Sequence, residues 1–227
     1  MSICEKHFWP AFKCVLLAGT PIQKLVDNGG DTHLFLNNQS LIILRNDNKI
    51  TVLKVLEKYK RFIDIGNLWA DKGWKCFAHY YDPQTGKGII PWTSATRECL
   101  YYFELSLYNW KQGKHQKSMF YLGAAAHIVQ DMCVPHHAMG IAFNGHRKFE
   151  NWAINNKDLF KIKKGGVYKA FNNISELIDF NSGTSQGYYN DVSCFNIKGY
   201  NRAGKELLSL AQRTTAYLFN HFVELSC

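Results

Sequence analysis

With 227 residues, 46% of them hydrophobic and 15% aromatic, the chain can bury one sizeable core and gives no reason to expect a second. A formal net charge of +9 suits an anionic partner such as a phospholipid surface or a nucleic acid, although a solvated basic face gives the same total. No apolar run reaches the roughly 18 residues of a transmembrane helix, and the seven cysteines include no C-x-x-C pair, which argues against a zinc knuckle or a thioredoxin-like site.

The first 19 residues read as a weak signal-like or N-terminal extension: Lys6 and Lys13 precede only a short apolar stretch, Cys14 to Ala18, before Gly19. Residues 20–227 are expected to form a single compact all-α domain, because apolar residues recur at helical rather than alternating spacing and no internal repeat is present. Leu34, Leu36, Leu41, Ile42 and Leu44 predict a largely buried helix from His33 to about Leu44. Ile50, Leu53, Leu56, Tyr59, Phe62 and Ile63 predict the next, to about Gly66. Asn67 to Trp92 reads as a functional loop that contains Asp71 and His79. Thr93 or Ser94 can cap a helix running to about Gln112, with Gly113 as its stop. Ser118 to Pro135 is nearly uncharged until Asp131 and predicts a buried helix ended by Pro135. A further helix is expected from His146 to about Asn156, then a Gly- and Asn-rich stretch, then a last helix from about Ala203 to Val223.

Residues four apart share a helix face, so His127 with Asp131, and His146 with Glu150, can each point at one ion. Nine histidines and 18 acidic residues in 227 positions predict roughly 0.7 such pairs by chance, so spacing alone carries little weight. Context carries more. A His and an Asp inside an otherwise apolar helix face a desolvation cost of several kcal/mol unless paired or bound to a cation. Taken singly, His33 would be a hydrogen-bonded core histidine, Asp71 a loop or capping aspartate, and His146 with Glu150 an exposed ion pair. Imidazole and carboxylate together suit zinc, with iron and manganese as alternatives, and positions left open to water would make such a site catalytic.

As a set, these segments resemble the bacterial zinc-dependent phospholipase C family, which includes a phosphatidylcholine-hydrolysing enzyme and the catalytic domain of clostridial alpha-toxins. The likeness runs from His33 to about Tyr217 and is densest in FYLGAAAHIVQDMCVPHHA, Phe120 to Ala138. GHRKFEN (Gly145 to Asn151), AHYYDPQTGKGIIPW (Ala78 to Trp92), THLFL and AQRTTAYLFNHF (Ala211 to Phe222) are similar to further family segments. The resemblance implies that Asp71, His79, His127 and Asp131 hold one Zn2+, that His137, His146 and Glu150 hold a second, and that His33 and Asp131 serve a third. It selects His137 over His136, which becomes a surface residue or a neighbour of the ligands.

Two departures from the family pattern stand out. The family completes its third site with a mature N-terminal tryptophan, whereas Trp9 lies 24 residues before His33 and a cut near Gly19 would expose Thr20. Cys76 stands where a choline-type enzyme carries a headgroup-pocket aromatic, which Trp69, Trp74 or Phe77 could replace. The membrane-docking β-sandwich of the toxins is not expected. The resemblance further implies a secreted, monomeric phosphodiesterase acting on a phospholipid membrane surface, with Asp71 as the candidate general base and diacylglycerol and a phosphorylated headgroup as products. A zinc-dependent single-strand nuclease and a non-catalytic metal- or lipid-binding relative are the rival readings.

Overall fold

The computed structural model describes residues 30–226; the expectations for residues 1–19, Trp9 and Thr20 lie outside that range. Nine α-helices are present among the described residues: α1 Gly30–Asn46, α2 Ile50–Ala70, α3 Ala95–Lys111, α4 His115–Asp131, α5 Pro135–Ala138, α6 His146–Asn156, α7 Ile174–Gln186, α8 Tyr189–Val192 and α9 Ile197–Ser226. The only β-type pairing among them is an isolated antiparallel bridge between Asp82 and Lys87. The domain is all-α, as the hydrophobic spacing predicts.

α4 is the central element because its sequence leaves it no other place. Every residue from Leu122 to Asp131 is buried, and the Gly-Ala-Ala-Ala run presents so little side chain that neighbouring backbones can close in. They do so at one point: a Cβ on Gly123 would lie 1.9 Å from the Ile63 carbonyl oxygen, and one on Gly66 would lie 1.8 Å from that of Phe120. α2 and α4 are therefore pressed together with glycine on both sides, one turn before the residues that matter. α3 packs on another side of α4, and the 30-residue α9 crosses α1 and α4. The main core gathers Ile43, Leu44, Leu56, Ile63, Leu122 and Phe219 with their neighbours; each such side chain contributes about 1.5–3 kcal/mol on burial. A smaller core of Phe149, Trp152, Val192, Tyr200, Ala203 and Leu207 anchors α6 to α8 and α9.

Several element boundaries depart from the sequence-based expectations. α2 continues past Gly66 to Ala70, and Asp71 is its C-cap rather than a loop residue. The supposed loop then holds a 3₁₀ helix, Gly73–His79. Ser94 is the N-cap of α3, but its side chain makes no capping bond; the Ala95 N–H is taken instead by the Tyr80 carbonyl at 3.1 Å. α4 starts at His115, and Pro135 opens the short α5, where a missing N–H costs nothing. The Gly- and Asn-rich stretch contains α7, which Asn173 caps by accepting from the Glu176 N–H at 3.0 Å. Gly113, with φ 70°, closes α3 as expected.

Candidate metal centre

The last turns of α2 and α4 come together, with Asn67 Nδ2 3.1 Å from Gln130 Oε1 and Asp71 Oδ1 3.9 Å from His127 Nε2, and the C-terminal end of a helix favours a cation. All eight residues singled out in the sequence meet there. Donor atoms of His33, His127 and Asp131, of Asp71, His79 and His127, and of His137, His146 and Glu150 form three groups, each with its ligand atoms within 4.8 Å of one another. They come from α1, α2, the 3₁₀ helix, α4, α5 and α6.

Asp131 sits at the centre. Its Oδ2 is 2.8 Å from His79 Nδ1, 3.1 Å from His127 Nε2 and 3.9 Å from His137 Nδ1, and its Oδ1 is 3.5 Å from His33 Nε2. Asp71 Oδ1 approaches His127 Nε2 at 3.9 Å. On the far side Glu150 Oε1 lies 2.9 Å from His146 Nε2 and 3.7 Å from His137 Nε2. The Nδ1 of His137 donates to the His79 carbonyl at 3.0 Å, which leaves its Nε2 as the atom facing Glu150.

The residues fit a metal by a test of their own. Three buried imidazole nitrogens, Nε2 of His79, His127 and His146, have no hydrogen-bond partner. Two of them stand within 3.1 Å of a carboxylate oxygen without directing a hydrogen bond at it. Buried polar atoms of a protein are normally paired, and nitrogen and carboxylate pointing past each other is the arrangement of atoms aimed at a shared third partner. Five imidazoles and three carboxylates form a donor set suited to zinc.

The electrostatics agree. Burial opposes ionisation of Asp131, yet His127 and His137 override it and hold the carboxyl well below its usual range. Glu150 is likewise held low: burial works against its charge, and the neighbouring His137 and His146 imidazoles outweigh that. Burial lowers His137, but the Asp131 charge and Glu150 carry it to about 9. His127 is raised against its own burial by Asp131 and Asp71, whereas burial dominates at His33 and His79 and lowers both. The pocket thus favours the ionised forms of Asp131 and Glu150 and draws positive charge toward them.

Of the two places expected for His136, the structure gives the neighbour of the ligands: it is buried, its ring stacks on His146 at 4.9 Å and its Nε2 donates to the Asn144 carbonyl at 2.9 Å. Two features were not foreseen. Tyr80 stacks on His137 at 4.6 Å. Asn37, Asn67 and Gln130 form a buried amide cluster behind His33 and His127. Spacing held a signal for the last, since Asn37 follows His33 by four and Asn67 precedes Asp71 by four on their helices. Of the candidate aromatics near Cys76, Trp74 and Phe77 stack together and Phe77 stacks on Trp92, while Trp69 turns inward against Tyr102 and Phe120.

A family model described as zinc dependent phospholipase C matches residues 32–194. The chain belongs to this family. Similar members include a protein named Phospholipase C from Clostridium perfringens, 26% identical over 88% of this chain and 52% of its own length. A Phospholipase C from Bacillus cereus is 26% identical over 62% of this chain and 55% of its own. The chain spans about half the length of these curated relatives. Among solved structures, the alpha toxin from Clostridium absonum superposes with a TM-score of 0.76 over 86% of this chain and 64% of that one, at 21% identity, a likeness of fold. Among the described residues no helix is long and apolar enough to cross a membrane.

Proposed function

We propose that this member of the zinc-dependent phospholipase C family is itself a zinc-dependent phosphodiester hydrolase, cleaving phospholipids at a membrane surface to diacylglycerol and a phosphorylated headgroup. The observation that carries this is the convergence of five imidazoles and three carboxylates beside an open groove. The name Phospholipase C borne by the relatives supplies the reaction class.

Asp71, His79, His127 and Asp131 would hold one zinc, His137, His146 and Glu150 a second, and His33 with Asp131 would serve a third. When bound, zinc supplies Lewis acidity that lowers the pKa of water and neutralises charge on phosphoryl oxygens. Asp71 is the general base. It borders both the ligand-lined cavity and the open groove, so its carboxylate can accept a proton from water arriving through the groove. Lys72, exposed on the same groove, meets an anionic phosphodiester with positive charge. Asp131 orients four histidines at once and is the residue whose loss should matter most. In this reading residues 20–227 would form the catalytic domain and residues 1–19 a weak signal or N-terminal extension, and the protein would act as a monomer outside the cell.

Phosphorus NMR of phosphatidylcholine dispersions, with single-stranded DNA digested in parallel, tests the reading. Phosphocholine should appear, vanish on chelation and return with zinc; DNA cleavage without lipid cleavage would transfer the site to the nuclease reading. Asp131→Asn should lose both zinc and turnover, by more than the roughly 10–100-fold that removing a partner of a ligand costs.

A further inference from the structure

Behind the candidate ligands, three buried side-chain amides on three helices touch one another: Asn37 on α1, Asn67 on α2 and Gln130 on α4, all at least 98% buried. An amide in such a position can be turned either way, and turning one obliges its neighbours to turn. What decides the direction lies at the outer end. Asn37 Nδ2 donates to Asp64 Oδ1 at 3.1 Å, and Asp64, paired with Lys60 one turn earlier on α2, meets it as a carboxylate, which accepts.

From that fixed end the rest follows. Asn37 must face inward with its oxygen, which accepts from Gln130 Nε2 at 3.0 Å and Asn67 Nδ2 at 3.4 Å. Both of those amides then turn their oxygens toward the imidazoles. Gln130 Oε1 lies 2.8 Å from His33 Nδ1, and Asn67 Oδ1 lies 3.4 Å from His127 Nδ1. Gln130 Oε1, which also accepts from Asn67 Nδ2 at 3.1 Å, and Asn67 Oδ1 can only accept from an imidazole, so in the neutral rings both Nδ1 atoms carry the proton and both Nε2 atoms, which face Asp131, keep their lone pairs. The opposite polarity would put N–H on each Nε2 and close it to a cation.

We propose that Asp64, although outside the metal centre, is a positioning residue: its carboxylate sets the polarity of the Asn37–Gln130–Asn67 relay and so fixes His33 and His127 as Nε2 ligands. The purpose of this relay rests on the metal reading given above, but its existence does not. It also accounts for four polar side chains, Lys60, Asp64, Asn67 and Asp71, along one stripe of α2 at spacings of four, three and four.

The test is a comparison of the full-length chain with Asp64→Asn and Lys60→Met. Asparagine at 64 can donate or accept, so it frees the relay to take either polarity; methionine at 60 removes the ion pair and leaves the carboxylate. Two-bond nitrogen–proton correlation spectra of the chelated protein, above the titration of its histidines, should show Nδ1–H for His33 and His127 in the wild type and in Lys60→Met. Mixed tautomers are expected in Asp64→Asn, with zinc affinity about tenfold weaker in a chelator competition, the low end of what loss of a ligand's partner costs. Uniform Nδ1–H in Asp64→Asn, or equal mixing in Lys60→Met, would overturn the relay. Fixed tautomers in a wild-type chain that took up no zinc would bear out the relay and remove only the metal reading.

Discussion

Asp131 faces four imidazoles, at distances from 2.8 to 3.9 Å. A shorter or uncharged side chain would leave buried histidines with neither cation nor carboxylate, each facing the cost of an unpaired polar group. The same logic gives a thermodynamic expectation. With its pKa raised to about 9, His137 carries a proton at pH 7 in the metal-free chain, and a metal ligand must be neutral. Zinc binding at pH 7 should therefore release protons, and the release should shrink as pH rises through 9. Calorimetry in buffers of differing ionisation enthalpy reads this directly; a binding heat independent of buffer would contradict it.

At the scale of elements, the centre depends on how closely α2 and α4 approach, since they bring Asp71 and His127 with Asp131 to one point. Gly123→Ala would place a methyl 1.9 Å from the Ile63 carbonyl and force the helices apart. Overpacking of this kind costs about 1–3 kcal/mol, and it should appear as a lower urea midpoint together with weaker zinc binding. Unchanged zinc affinity in a destabilised protein would mean that the ligands adjust independently of the helices. The α1–α2 turn has its own tie: Asp47 accepts from the Gly165 and Gly166 N–H groups and the Tyr168 hydroxyl at 2.8–3.1 Å. Burial opposes its charge, but those donors prevail and lower its pKa from 3.8. This contribution is whole above the ordinary carboxylate value and is lost as pH falls through the lower folded one. Asp47→Asn should flatten that part of an acid unfolding curve; an unaltered curve would remove the tie from the account of stability.

Across the whole molecule, what the sequence made legible follows from the range of each interaction. α2, whose apolar residues recur at three and four, and α4, which is nearly uncharged until Asp131, could be read directly, because both signals are local. α7 escaped that reading although Ile174, Leu177 and Ile178 recur at three and four and Asn173 caps its start, because Asn, Ser and Gly interrupt the pattern from Asn181 onward, where bonds such as Asn181 Nδ2 to the Val129 carbonyl at 3.0 Å take over. The His127–Asp131 pair was visible from spacing and its apolar setting. His33, Asp71 and His79 stand on three other elements, and periodicity holds no information about elements meeting; the family resemblance alone linked them. Asn67 and Gln130 were overlooked because a polar residue near a helix end looks like a cap until its partners are seen.

Stepwise return of zinc to the chelated protein, with phosphatidylcholine cleavage followed against zinc bound per chain, tests the central claim most directly. Cleavage should be absent without metal and rise as the sites fill. Undiminished cleavage by the metal-free chain, or a zinc-saturated chain that cleaves no phospholipid, would contradict it.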